Sequence, residues 1–182
     1  HERDSLVFML TDISADHKHI KELESAAFYD TLTGLYNREF GMKLMNEFMG
    51  KREKFIVVFV DMDKLKYVND KFGHLEGDKY ILAVAAILRG FSPSVSISRL
   101  GGDEFMLMDT GWDEQPAEMR MEELRAQLIQ RGHDYGSQYE HSLSYGVIGV
   151  AEDNVLDASS LLAIADEKMY NYKLAHKMQR SN

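Results

Sequence analysis

The chain has 182 residues, 45% hydrophobic and 28% charged with two prolines, enough for one domain with a real core and not the composition of a disordered segment. Its formal charge of −9 excludes a general nucleic-acid binder, which needs a basic surface to neutralise phosphates, but leaves open a small anionic substrate held by a few lysines and a divalent cation. The absence of cysteine excludes disulfides and thiolate metal sites and makes a cytoplasmic location the expectation.

Taken in chain order, SLVFMLTDIS (residues 5–14) reads as a strand ending in a polar turn. The following ADHKHIKELESAAFYD reads as a short connecting helix over 15–29, with little to bury beyond Ile20, Leu23, Ala26 and Ala27. The main domain is placed at 26–182. In TLTGLYNREF, Gly34 marks a turn and Asn37 is an N-cap candidate, and the helix after it repeats Phe40, Leu44 and Phe48 at four-residue spacing. KFIVVFVDMD is a nearly unbroken apolar run, the mark of a strand covered on both faces. KLKYVNDKFGHLEGD reads as a loop or short helix, and DKYILAVAAILRGF as a helix with Ile81, Val84 and Leu88 on one face.

SVSISRL and EFMLMDT flank a tight acidic turn and predict a hairpin. EMRMEELRAQLIQR predicts a helix, HSLSYGVIGV a strand, and SSLLAIADEKMYNYKLAHK a long final helix. The resulting order, α-β-α-β-β-α-β-α, predicts an α/β (α+β) domain. Its expected form is a mixed central sheet with a β-hairpin, surrounding helices and a split βαβ arrangement. No run is apolar for long enough to cross a membrane. Beginning at His1, the chain reads as a piece of a longer parent, for which a membrane anchor stays open.

Charged residues gather at the predicted strand ends. Asp61 and Asp63 close the apolar strand, which is expected to end at Met62, and Asp103 with Glu104 occupies the hairpin turn. Asp61 is costly to bury without a cationic partner. If the hairpin lies beside the strand, the carboxylates converge, and hard oxygen ligands with no His or Cys nearby suit Mg²⁺. The alternative is a solvated acidic turn beside an unrelated strand end, and spacing alone weighs the two evenly. Gly101 and Gly102 tilt the balance toward a site, because they permit positive φ and close approach of a ligand to the backbone.

Asn69 and Asp78 can read a base edge: guanine offers adjacent ring N–H and amine donors that a carboxylate accepts, and adenine offers no such pair. Each residue has a plainer reading, Asn69 as a helix cap and Asp78 as an acid near a helix N-terminus. Lys173 and Lys177 share a helix face and suit either phosphates or solvent.

Four ordered blocks together resemble the GGDEF family of diguanylate cyclases. DTLTGLYNR (Asp30 to Arg38) is similar to the family's D-x-LTGL-x-NR. DMDKLKYVNDKFGHLEGD (Asp61 to Asp78) follows D-x-D-x-F-K-x-x-N-D-x-x-GH-x-x-GD, with Leu65 in place of the usual aromatic. RLGGDEF (Arg99 to Phe105) contains the signature, and ADEKMYNYK (Ala165 to Lys173) resembles the closing AD-x-A-L-Y-x-A-K.

The resemblance implies the palm-like fold of nucleotidyl cyclases and the joining of two GTP into cyclic di-GMP with release of pyrophosphate, in a homodimer. It implies that Asp61, Asp103 and the Met62 carbonyl hold Mg²⁺ (or Mn²⁺), with Glu104 beside the reacting 3′-hydroxyl or the metal. It further implies guanine recognition by Asn69 and Asp78 and phosphate contacts from Lys66, Lys173 and Lys177. Gly101, Gly102 and Leu65 would line the substrate, with backbone N–H groups of 63–65 forming an anion nest.

The chain departs from the family at Lys177, where arginine is usual, and at Ser92–Val95, where SPSV replaces the R-x-x-D of the product-inhibition site. Inhibition through that site is therefore not expected. FMLTDISADHK resembles the exit of a PAS sensor domain, which implies an upstream sensor in the parent. Two other readings stand beside the cyclase: a catalytically silent GTP-binding regulatory module, and a structural dimerisation domain.

Overall fold

Strand β1 (Phe55–Met62, FIVVFVDM) organises the domain, because alternate side chains of a strand point to opposite faces and both of its faces are apolar. Ile56, Val58, Val60 and Met62 enter one core, and Phe55, Val57 and Phe59 enter another. Each such side chain contributes about 1.5–3 kcal/mol by leaving water. A strand of this kind requires helices on both sides.

The computed structural model describes residues 27–179, with side chains as far as His176. The strand expected at 5–14 and most of the linker helix expected at 15–29 lie outside the described residues, as does the side chain of Lys177.

The described elements are α1 (Arg38–Lys51), β1, α2 (Leu65–Phe72), α3 (His74–Leu88), β2 (Ser96–Arg99), β3 (Glu104–Asp109), α4 (Glu114–Asp134), β4 (Leu143–Val150) and α5 (Ala158–Gln179). The polar stretch after β1 is helical, so a loop reading of it does not hold. Gly73, at φ 89, separates α2 from α3. α4 begins a turn before the expected Glu118, with Pro116 in its first turn, where a missing N–H costs nothing. Asn37 caps α1 by accepting from the Phe40 N–H at 2.9 Å. The inward row of α1 is displaced from the expected stripe: Gly41 and Met45 are buried, and Leu44 and Phe48 pack at the margin.

The four strands are ordered β2-β3-β1-β4. Every adjacent pair is antiparallel, which replaces the expected mixed sheet. The split βαβ reading explains the difference. β1 and β2 run the same way but admit β3 between them, and β3 and β4 likewise admit β1. The α+β class holds. One core collects Tyr80, Val84 and Leu88 of α3 with Met121, Leu124 and Leu128 of α4. The other collects Met45 of α1 with Leu161, Ala165 and Met169 of α5.

Both sheet edges are blocked, as exposed edges must be. Tyr36 bridges to β2, accepting from the Arg99 N–H at 2.8 Å and donating to the Ile97 carbonyl at 3.1 Å. On β4, the Gly149 N–H donates to Glu114 at 3.0 Å and the Val147 carbonyl accepts from Lys168 at 2.8 Å. Glu114 and Lys168 pair with each other across the edge. Among the described residues, no helix is long and apolar enough to cross a membrane.

Candidate active site

The end of β1 and the β2–β3 turn form one structure. Asp61 stands directly opposite Glu104 in the β1–β3 ladder, and the Met62 N–H donates to the Asp103 carbonyl at 2.9 Å. The hairpin expected beside the strand is therefore there, and the convergence of acids follows from it. Asp61 continues the row of Phe55, Val57 and Phe59, and Glu104 the row of Met106 and Met108, so both belong to the α1–α5 side of the sheet. β1 ends at Met62, as expected, and Asp63 turns away to accept from the Ser144 hydroxyl at 2.9 Å.

Burial raises the pKa of Asp61. Its ion pair with Lys173 lowers it in part, and the neighbouring Asp103 and Asp63 raise it again. Glu104 is raised by burial and by Asp103, with Asp61 and Asp166 adding to the effect and Arg38 opposing it. These are carboxylates short of positive charge. A hard divalent cation suits such a donor set, and Asp61, Asp103 and the Met62 carbonyl could hold one. Among the described residues, no three acidic or histidine side chains already close around a common metal position, and Lys173 is the cation at Asp61.

The turn is braced from outside. Arg99 donates to the carbonyls of Gly101 at 3.1 Å and Gly102 at 2.9 Å and grips both carboxylate oxygens of Asp30 at 3.2 Å. Burial alone would raise Asp30, but hydrogen bonds from Thr33 and then Arg99 bring it below its ordinary value. Neither Gly101 nor Gly102 has positive φ, contrary to one reason expected for them. What they provide is space: a Cβ on Gly102 would meet nothing within 4 Å, and one on Gly101 would lie 3.0 Å from Glu104. Beside Glu104 a cavity of about 360 Å³ opens, walled by Arg38, Met42, Phe59, Leu162 and Asp166.

Asn69 of α2 lies against Gly77 of α3, the residue before Asp78. A Cβ on Gly77 would fall 1.9 Å from Asn69 Oδ1, so the amide lies directly over that glycine. Asn69 does not have the plainer role of a cap, whereas Asp78, the fifth residue of α3, still fits the plainer reading of an acid near a helix N-terminus. Asn69 is inside α2, whose N-cap is Lys64, and the acid in the first turn of α3 is Glu76. Lys66 is exposed on the first turn of α2. Leu65 is only 7% exposed and its side chain belongs to the core, so its backbone is what remains to face a ligand. Of the expected 63–65 nest, the Asp63 N–H is already bonded to the Ser142 carbonyl at 3.0 Å.

Sequence reasoning did not single out Arg99, Asp30, Tyr80 or Ser144. Asp30 and Arg99 lie in quoted motifs, and an arginine two residues before a glycine pair was the available signal. Tyr80 carried none, because its partners are far along the chain.

An antiparallel α+β sheet with an acidic hairpin turn against a central strand end defines the palm-like class of nucleotidyl cyclase folds. The chain belongs to the GGDEF family: the profile described as "Diguanylate cyclase, GGDEF domain" matches residues 27–179. It is 31% identical over 170 residues to the cyclic di-GMP phosphodiesterase PdeB of Shewanella oneidensis, covering 91% of this chain and 20% of that protein. It is 29% identical to the diguanylate cyclase DgcP of Escherichia coli, covering 98% of this chain and 52% of that one. The chain thus spans from a fifth to about half of these relatives. Its fold is similar to the coiled coil and GGDEF domain of DgcB from Caulobacter crescentus, solved in complex with c-di-GMP. That match has a TM-score of 0.81 at 22% identity, covering 95% of this chain and 94% of that one.

Proposed function

We propose that this chain is a diguanylate cyclase domain that condenses two GTP molecules into cyclic di-GMP and two pyrophosphates, each domain of a homodimer presenting one GTP to the other. The observation that carries the reading is the pairing of Asp61 with Glu104 in the ladder, with the Asp103 carbonyl tied to Met62, at the end of β1. A purely structural dimerisation domain has no use for half-buried carboxylates whose pKa values are raised by burial and by neighbouring acids.

In this reading Asp61, Asp103 and the Met62 carbonyl hold Mg²⁺ (or Mn²⁺), which when bound offsets charge on the α-phosphate and lowers the cost of the 3′-oxygen nucleophile. Glu104 accepts from the attacking hydroxyl beside the open cavity. Asn69 and Asp78 hydrogen-bond guanine, and an unpaired Asp78 penalises adenine. Lys66 and Lys177 meet the phosphates, and Lys173 leaves Asp61 to join them. Gly102 leaves room for the nucleotide to approach the turn. Ser94 donates to Asp109 at 3.1 Å and Ser92 bonds the same carboxylate, which fits a site unlike the family's R-x-x-D. We expect no product inhibition there.

The PdeB relative supports a second reading, a GTP-binding module that regulates a neighbouring domain. Incubation with GTP and Mg²⁺ at high protein concentration separates the two. Cyclic di-GMP that disappears with Asp103→Ala supports the cyclase. GTP binding without product, even when dimerisation is enforced by a fused coiled coil, supports the module.

A further inference from the structure

The phenol of Tyr80 is completely buried, yet the chemistry assigned above makes no use of it. Its oxygen joins the two strand ends that frame the site. It donates to the Ser142 carbonyl at 2.6 Å, with a longer contact to the Asp63 carbonyl at 3.1 Å, and accepts the Ser142 N–H at 2.8 Å. The Asp63 N–H returns to the same Ser142 carbonyl at 3.0 Å. A phenol has one proton and accepting lone pairs, and here both capacities are spent on the backbone.

The position of Tyr80 in the chain gives these bonds meaning. It lies two residues after Asp78 on α3, a rigid helix whose outer side carries the guanine-reading carboxylate and whose inner side carries the phenol. Asp63 follows Asp61 and Met62 directly, and Ser142 immediately precedes β4. The ring is held independently of the hydroxyl, stacked on His141 with centroids 4.7 Å apart and packed on Tyr139 at 5.5 Å. The hydroxyl is thus a separable element: it adds the link to the loop, while the ring supplies the packing.

We propose that the Tyr80 hydroxyl is a positioning group that fixes the loop after β1, the metal- and phosphate-facing part of the site, relative to the base-reading helix α3. This rests on the reading of the site as a GTP site. The hydroxyl touches no substrate. It sets the distance between the end that reads guanine and the end that receives the triphosphate, so its loss separates the two recognition tasks without abolishing either.

The test is Tyr80→Phe in the full chain, which keeps the ring and removes one oxygen. Guanosine and GTP with Mg²⁺ are each titrated by calorimetry or by NMR. GTP affinity is expected to fall about tenfold, the scale of one well-made buried hydrogen bond, while guanosine affinity stays the same. Tyr139→Phe, which removes a hydroxyl from the same aromatic cluster without touching the loop, is expected to alter neither. Equal weakening of both ligands in Tyr80→Phe, or no change in either, overturns the proposal. If the phenylalanine variant does not fold, Ser144→Ala loosens Asp63 from β4 instead, and the same split between GTP and guanosine is required. Both ligands are read by binding, so the result does not depend on turnover. A wild-type protein that binds GTP and makes no product overturns the cyclase reading alone.

Discussion

Asp61 and Glu104 are cross-strand partners on β1 and β3, and both carboxyl groups have pKa values raised from their ordinary ones. Burial is the first cause for each, and Asp103 adds repulsion to both. A carboxyl whose folded pKa exceeds its unfolded value favours folding fully below the unfolded pKa, and that contribution is lost as pH rises through the folded one. At neutral pH, then, these carboxylates hold charge at a cost to stability. Glu104→Gln is expected to raise the melting temperature near pH 7 by about 2 °C, with the difference vanishing below about pH 4. Thermal melts from pH 4 to 7.5 check this, and a difference that is constant across that range contradicts it. Saturating Mg²⁺ is expected to narrow the gap, since the cation relieves the same repulsion.

Gly77 explains the posture of Asn69. With Oδ1 lying 1.9 Å from where a Cβ would stand, Gly77→Ala must push the amide aside. Helical alanine is intrinsically better than glycine, so secondary structure is not harmed. The expected outcome is a variant that folds but loses about tenfold or more of its preference for GTP over ATP, because half of the proposed base readout has moved. Competition binding with the two nucleotides measures it. Unchanged preference would remove Asn69 from the base site.

Local chemistry made much of this fold legible. Asn37 reads as a cap because its side chain acts three residues away, and Met62 reads as a strand end because acids follow an apolar run. What stayed hidden depends on partners distant in sequence. Arg99 reaches back to Asp30, and Tyr80 reaches forward to Ser142; neither contact leaves a periodic trace. The displaced inner row of α1 has a similar cause. Gly41 is at its centre, and a Cβ there would lie 2.4 Å from Ser98 Oγ, so a missing side chain sets the packing and hydrophobicity cannot show it. The split βαβ arrangement was legible, and its consequence, that a strand inserted between β1 and β2 makes every adjacent pair antiparallel, is what the expected mixed sheet left out.

Ser98 itself yields a stability prediction. It is completely buried beneath α1, and its hydroxyl has no hydrogen-bond partner among the described residues. A hydroxyl taken from water without a partner costs free energy that a methyl group does not. Ser98→Ala is expected to stabilise the domain by about 1 kcal/mol, seen as a higher urea midpoint with an unchanged slope. A lower midpoint would mean that the hydroxyl is satisfied in solution.

Gly146 sets how closely α5 approaches β4. A Cβ there would lie 2.2 Å from the Ala165 carbonyl and 2.5 Å from the Met169 N–H nitrogen, both backbone atoms of a helix and unable to rotate away. Gly146→Ala therefore has to lift α5 off the sheet, an overpacking change expected to destabilise the domain by about 2–3 kcal/mol. The same helix carries Lys173 to Asp61 and Lys168 to the edge of β4, so displacing it weakens the ion pair at the site as well as the edge clasp. Gly50→Ala is the control, since a Cβ there meets nothing within 4 Å and α1 gains a better helix former. Urea denaturation is expected to lower the midpoint for the first variant and leave it level or higher for the second. Equal midpoints for Gly146→Ala and the parent protein would show that α5 is not held against β4 at this glycine.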